Sequence, residues 1–216
     1  MKTLFDYNLT LEEAQELIRN GADVNEAKPD KWSFNVHTYA HAPGMTPLFY
    51  VKNTEIAKLL IENGADIKAT IDDDDTLLHF QRNANVIKLL IEKGIDLNKR
   101  NCNGNTPLHL ASNVEIIKVL IEHGADLNPI NHDGETPLDV VLYNEYAIIL
   151  ISIGVIAGKI NTYKRYREYF SNEQQKVFDA FMSITGNDDD FFQMCLAYQN
   201  DHTNSVKIEI KEMEIQ

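Results

Sequence analysis

Between Asn113 and Gly124 the apolar side chains Val114, Ile117, Leu120 and Ile121 recur at helical spacing and share one face. Lys118 and Glu122, four residues apart, fall on the opposite face, toward water. Asn113 is placed to open this helix, and Gly124 to close it as a left-handed residue after the last turn. Just upstream, Thr106-Pro107-Leu108-His109 predicts a short first helix. Thr106 is its cap, and Pro107 sits at the first helical position, where a missing N–H costs nothing. A pair of helices this short has too little apolar surface to stand alone, so it must stack on neighbours.

The neighbours are in the sequence. Thr106–His109 is echoed by Thr46-Pro47-Leu48-Phe49, Thr76-Leu77-Leu78-His79 and Thr136-Pro137-Leu138-Asp139, with the threonines 30 residues apart. Gly124-Ala125-Asp126 is echoed at the same spacing by Gly64-Ala65-Asp66 and Gly94-Ile95-Asp96, while the fifth copy keeps only Gly154. An earlier copy holds Gly21-Ala22-Asp23, with Thr3 at the matching distance before it. Two markers held in phase over five copies specify a repeat array.

These residues resemble the ankyrin repeat family: Thr-Pro-Leu-His opening a first helix, a Leu-rich second helix, then Gly-Ala-Asp-x-Asn. The resemblance runs from Thr3 to about Gly158 and implies an all-α ankyrin-repeat solenoid; the markers vanish from Asn161, and the chain beyond reads as a non-ankyrin helical C-terminal cap. Ankyrin units commonly run 33 residues; the 30-residue period here implies helices trimmed at their junction. The resemblance also gives His79 and His109 a structural role, bonding backbone near the turns. In the third copy Asp74 replaces the turn glycine, and Asp tolerates the left-handed region better than most residues. The expected organisation is an array over 1–158, with repeats near 3–25, 42–68, 72–98, 102–128 and 132–158 and an inserted finger at 26–43. A helical cap follows over 159–204, then a tail over 205–216.

The departures from the period carry information. The first copy is expected to cap the array, with Glu12, Glu13 and Glu16 toward solvent. The distance from Gly21 to Gly64 exceeds the period by 13 residues, and the insertion holds Trp32, Phe34, His37, Tyr39 and His41. Its aromatics either fold back over the first helices or anchor an interface. Ile71-Asp72-Asp73-Asp74-Asp75 lacks the alternating acids, central glycine and distal glutamate of a calcium loop; a solvated turn tip is expected. In the fifth copy Lys118 becomes Ile148, Glu122 becomes Ser152 and His123 becomes Ile153. A helix apolar all round should be buried all round, and the chain after Asn161 is the expected cover. That chain predicts a helix over Asn161–Phe170, a second over Asn172–Ile184 opened by a Ser171/Gln174 capping box, and a third beginning near Asp188–Asp190. The tail alternates Val206, Ile208 and Ile210 with Lys207, Glu209 and Lys211. It reads as a frayed end, as a strand pairing with the finger, or as a strand added to a partner's sheet.

Charge narrows the partner. Twenty Lys and Arg against 33 Asp and Glu leave a net charge of −13, which repels phosphate backbones and anionic lipid and attracts basic proteins. Neither nucleic acid nor membrane is an expected partner, and the longest apolar run, Tyr146–Val155, is too short to span a bilayer. No signal-peptide pattern opens the sequence. Cys102 and Cys195 stand far apart and read as reduced thiols, pointing to a cytoplasmic setting, with delivery into a host cell as the alternative. His37 and His41 are four apart in a stretch that reads as loop, and no metal, nucleophile or phosphate-binding motif is present. No cofactor is expected, and no catalytic residue.

The function expected is a non-enzymatic module that binds a basic protein as adaptor, inhibitor or toxin-neutralising protein, acting as a monomer. The alternatives are a secreted bacterial effector engaging a host protein, since the array resembles compact ones encoded by bacteria, and an enzyme with its site in the C-terminal segment. Mapping the family's variable contact positions implies Met45, Asp72, Asp73, Asp75, Cys102, Asn103, Asn105, His132, Asp133 and Glu135 as partner-binding, with Trp32 and Tyr39 on the finger.

Overall fold

The computed structural model describes residues 2–6, 8–27, 44–71, 73–141, 143–152, 154–184 and 187–199. Trp32, Tyr39, Asp72 and the 205–216 tail lie outside the described residues. No strand occurs among those described, and the fold is all-α. The chain divides into two compact units: Met1–Cys102 with Ala111–Ala125, and Asn103–Leu110 with Asp126–Gln216.

In the first unit α1 (Leu11–Arg19) opens on a reciprocal cap. The Thr10 hydroxyl accepts the Glu13 N–H and the Glu13 carboxylate accepts the Thr10 N–H, at 3.2 and 3.0 Å. Lys2 and this cap hold the Glu13 carboxyl below the usual carboxylate range. Glu12 and Glu16 are exposed, as expected, whereas Glu13 is half-buried by its bonds. The repeats follow as α2 (Pro47–Tyr50), α3 (Thr54–Glu62), α4 (Leu77–Phe80), α5 (Ala84–Glu92) and α6 (Val114–Glu122). First helices of four residues and second helices of nine show where the 30-residue period removes material. Asn53, Asn83 and Asn113 each cap their helix by accepting N–H groups of its first turn. The buried faces are Ile56, Ala57 and Leu60, then Val86, Ile87 and Leu90, then Ile116, Ile117 and Leu120. The α6 stripe is therefore rotated from the expected one: Ile116 enters the core, and Val114 and Ile121 are only half-buried. Lys118 and Glu122 do face water.

Gly124 has φ +91°, and beyond it the Ala125 N–H reaches back to the Leu120 carbonyl at 3.0 Å. This closure needs the left-handed conformation that glycine adopts without strain. Two of the asparagines that close the Gly-Ala-Asp-x-Asn motif, Asn25 and Asn128, tie one repeat to the next. Asn25 donates to the Gly64 carbonyl and accepts the Asp66 N–H at 2.9 and 2.8 Å. In the second unit Asn128 accepts the Ile156 N–H at 2.8 Å, the equivalent bond once the insertion is allowed for.

The second unit contains residues 103–110, where 107–110 form a turn rather than a helix, then α7 (Pro137–Val140), α8 (Asn144–Ser152), α9 (Ile160–Tyr166), a 3-10 turn (Arg167–Tyr169), α10 (Asn172–Ile184) and helical residues 188–199, α11. Ser171 and Gln174 form the expected capping box on α10, at 3.2 and 3.0 Å. Tyr163, Tyr166, Phe170, Phe178 and Phe191 are buried together, with Tyr163 ring centroids 5.3–5.7 Å from Phe170, Phe178 and Phe191. Arg167 forks onto Asp179, which also accepts the Tyr163 hydroxyl at 3.1 Å. The C-terminal helices dock on the fifth repeat: Tyr166 Oη donates to the Val141 carbonyl at 3.3 Å. Burial of α8 is one-sided, which corrects the expectation of cover all round. Ala147, Leu150 and Ile151 are buried, but Ile148 is 43% exposed and Ser152 is exposed. The inward face of α8 is buried as on the other second helices, and its outer ridge stands in water.

Candidate protein-binding surfaces

The turn tips preceding each first helix are built by one scheme. In the first unit the Asp74 N–H closes on the Ile71 carbonyl at 2.8 Å and the Ile71 N–H on the Asp75 carbonyl at 3.1 Å. Asp74 sits at φ +58°, where other tips place glycine; here the sequence expectation holds. In the second unit Gly134 (φ +72°) makes the same turn, with its N–H on the Asn131 carbonyl at 3.1 Å. Gly104 (φ +77°) is required twice over, because a Cβ there would come within 2.7 Å of the His132 ring and 2.9 Å of its nitrogen.

Successive tips are stitched to each other within each unit. The Cys102 N–H donates to the Asp73 carbonyl at 2.9 Å, and the His132 N–H donates to the Asn103 carbonyl at 3.0 Å. The Asn101 amide donates to Asp75 Oδ1 at 2.8 Å, and the Asn131 amide to Asn105 Oδ1 at 3.0 Å. Asn131 also donates to Glu135 Oε2 at 3.1 Å and accepts the Asp133 and Glu135 N–H groups at 3.0 and 2.9 Å. Tips held by such bonds lose little freedom on meeting a partner.

The positions expected to bind therefore separate. Asp73, Cys102, Asn103, His132 and Asp133 are exposed. Asp75, Asn105 and Glu135 are half-buried and committed to the stitching. Met45, at the equivalent position of the second repeat, is fully buried, so its side chain is a core residue and offers a partner no surface. With no polar group to hold a neighbouring tip, an apolar side chain at that place is drawn inward. Asp74, absent from the expected set, is exposed beside Asp73. Asn101 and Asn131, both 7% exposed, are legible in the sequence only as a recurrence at the period. Desolvation and then the Asp73 carboxylate, with Asp75 and Asp74 behind it, raise the Cys102 thiol above its ordinary value.

Beneath the tips, the histidines of the repeat motif are structural. Thr76 N–H donates to His79 Nδ1 at 3.1 Å and Thr106 N–H to His109 Nδ1 at 3.0 Å. Nδ1 is therefore the unprotonated nitrogen, and His109 Nε2–H donates to the Glu135 carbonyl at 3.0 Å. In the fifth repeat Asp139 takes the histidine's place and accepts more: Thr136 N–H at 2.7 Å, Gly158 N–H at 2.8 Å and Lys159 N–H at 3.1 Å. In the second repeat Phe49 takes the place, packs edge-on to Phe80 and leaves Thr46 Oγ1 buried with no partner among the described residues. Cys195 is buried, and burial pushes its thiol up to about 12. Among the described residues no group of three His, Cys, Asp or Glu is placed to hold a metal, and no helix is long and apolar enough to cross a membrane.

Comparison with known proteins gives two overlapping matches to a family described as "Ankyrin repeats (3 copies)", over residues 49–131 and 78–155. Over 63 residues the chain is 41% identical to Ankyrin repeat and SOCS box protein 6 of Homo sapiens, and equally to the protein of that name from Pongo abelii. The aligned stretch is 29% of this chain, and the chain spans 14% of the length of these curated relatives.

Proposed function

Residues 49–155 belong to the ankyrin-repeat family, and from that premise we propose that the chain binds a basic partner protein through its exposed turn tips, as an adaptor or inhibitor without catalysis of its own. Ankyrin repeats indicate a protein–protein interaction module, and theirs is generally a non-enzymatic fold. The observation that carries the finer reading is the tip of the third repeat, where Asp73 and Asp74 project side by side from a turn fixed by its neighbours. The net charge of −13 extends the same bias over the whole chain. A basic protein approaching such a surface is steered by it, so association is fast and falls with salt. Neutralising a toxic basic protein and engaging a host protein are two uses of this one surface.

The test captures binding proteins on the immobilised chain at about 50 and about 500 mM salt, where screening lengths differ severalfold. A paired capture uses the D73K/D74K variant, which leaves Asp75 on Asn101. The proposal expects one basic protein, retained at low salt, released at high salt and lost on the variant. A captured protein that is acidic, or held equally by the variant, overturns it.

A further inference from the structure

The tie between the fourth and fifth repeats passes through an intermediary. In the first unit Asn25 makes its tie alone: the side-chain nitrogen donates to the Gly64 carbonyl at 2.9 Å, and the side-chain oxygen accepts the Asp66 N–H at 2.8 Å. Asn128 is the counterpart in the second unit, and its oxygen accepts the Ile156 N–H at 2.8 Å in the same way. The other half of the tie differs. Asn128 Nδ2 donates to Gln199 Oε1 at 2.8 Å, and Gln199 Nε2 donates to the carbonyl of Gly154, the counterpart of Gly64. An amide carries an acceptor and a donor side by side. That of Gln199 is inserted into the bond that Asn25 closes directly.

Gln199 reaches this place from the end of α11, which is unevenly anchored. Phe191, Phe192 and Cys195 are buried, and the Phe191 ring lies 5.7 Å from that of Tyr163. Beyond Cys195 the helix has no buried residue: Leu196, Tyr198 and Gln199 are half-buried and Ala197 is exposed. Tyr198 meets Phe178 edge-on at 5.8 Å. Lifting this last turn strands no polar group of the tie. Asn128 Nδ2 then has the Gly154 carbonyl to take, and the Gln199 amide has water. Segments with few buried apolar contacts, whose hydrogen bonds are replaced when they leave, open at the lowest cost.

We propose that residues 196–199, the last turn of α11, form a strap that opens and closes on the repeats. Closed, Gln199 bridges Asn128 and Gly154. Open, Asn128 Nδ2 donates directly to the Gly154 carbonyl, as Asn25 does to Gly64, and the fourth and fifth repeats stay tied. The first turns of α11 remain in the cap throughout. This device stands apart from the function of the turn tips.

Native-state hydrogen exchange of the full chain, read by NMR, tests it with two variants. Gln199→Ala removes the bridge from an incompletely buried position. It should speed exchange of the 197–199 amides about tenfold, change that of the Ile156 amide by less than about twofold, and leave the Asn128 side-chain NH2 protected. Asn128→Ala removes the tie from both states and should speed the Ile156 amide about tenfold. If Gln199→Ala exposes Ile156 as much as Asn128→Ala does, Gln199 is a fixed part of the tie and the proposal falls. It falls equally if the end of α11 exchanges no faster without Gln199.

Discussion

Asp139 is the point where the last repeat hands the chain to its cap, and its removal should be costly. Its Oδ2 lies 2.7 Å from the Thr136 nitrogen and 2.8 Å from that of Gly158, and Oδ1 lies 3.1 Å from that of Lys159. Thr136 Oγ1, 2.8 Å from Oδ2, has the Ile156 carbonyl at 2.9 Å as an alternative and is not stranded by the change. Thr136 and Gly158 are buried, so Asp139→Ala leaves two N–H donors without an acceptor. At roughly 1–3 kcal/mol for each stranded donor, and with partial relief by water, the loss comes to about 3 kcal/mol. Asp139→Asn keeps one oxygen for Thr136 and Gly158 and turns an NH2 toward Lys159, giving up one half-buried bond, or about 1 kcal/mol. Urea unfolding followed by far-UV circular dichroism, and by the near-UV signal of the buried Tyr163 and Tyr166, reads both variants. If the alanine variant loses under about 1 kcal/mol, or no more than the asparagine variant, the carboxylate is not the clasp described.

The same contacts predict the outcome of other perturbations. Thr106→Val should cost about 1 kcal/mol by removing the hydroxyl from His109, whereas Thr46→Val, where Phe49 offers no acceptor, should change stability by less than about 0.5 kcal/mol in the same assay. Asp74→Gly should stabilise by about 0.5–1 kcal/mol, since glycine adopts φ +58° without strain; a loss would show that the carboxylate holds the tip. With the native chain, a thiol reagent should modify Cys102 slowly and Cys195 hardly at all, and Asp73→Asn should speed the Cys102 reaction. Hydrogen bonding from Arg167 lowers the Asp179 carboxyl below its ordinary value. The stability it contributes is therefore complete above the unfolded value of about 4 and disappears as pH falls through the folded one. Unfolding curves below about pH 5 should flatten in Asp179→Asn relative to wild type.

Much of this architecture is legible because its causes are local. Asn113 caps α6, Ser171 and Gln174 cap α10, and Gly124 turns left-handed through bonds spanning a few residues, and within the array a 30-residue period repeats the Asn113 and Gly124 cues. The features that escape a reading of the sequence depend on partners distant along the chain. Asn101 and Asn131 reach the preceding tip 26 residues away, and Asp139 reaches Gly158 and Lys159; nothing in their immediate neighbours announces it. Met45 shows that position in the repeat does not outweigh side-chain chemistry: the same site is half-buried when polar and fully buried when apolar. For α8, a uniformly apolar sequence implies cover on every side, yet Ile148 stands in water.

The central claim is that exposed turn tips are the recognition surface. Hydrogen–deuterium exchange of the chain, free and saturated with the captured basic protein, tests it most directly. Binding should slow exchange at residues 73–75, 102–105 and 131–135, and leave α3, α5 and α6 as they were. Protection confined to α8–α11, with the tips unchanged, would contradict it.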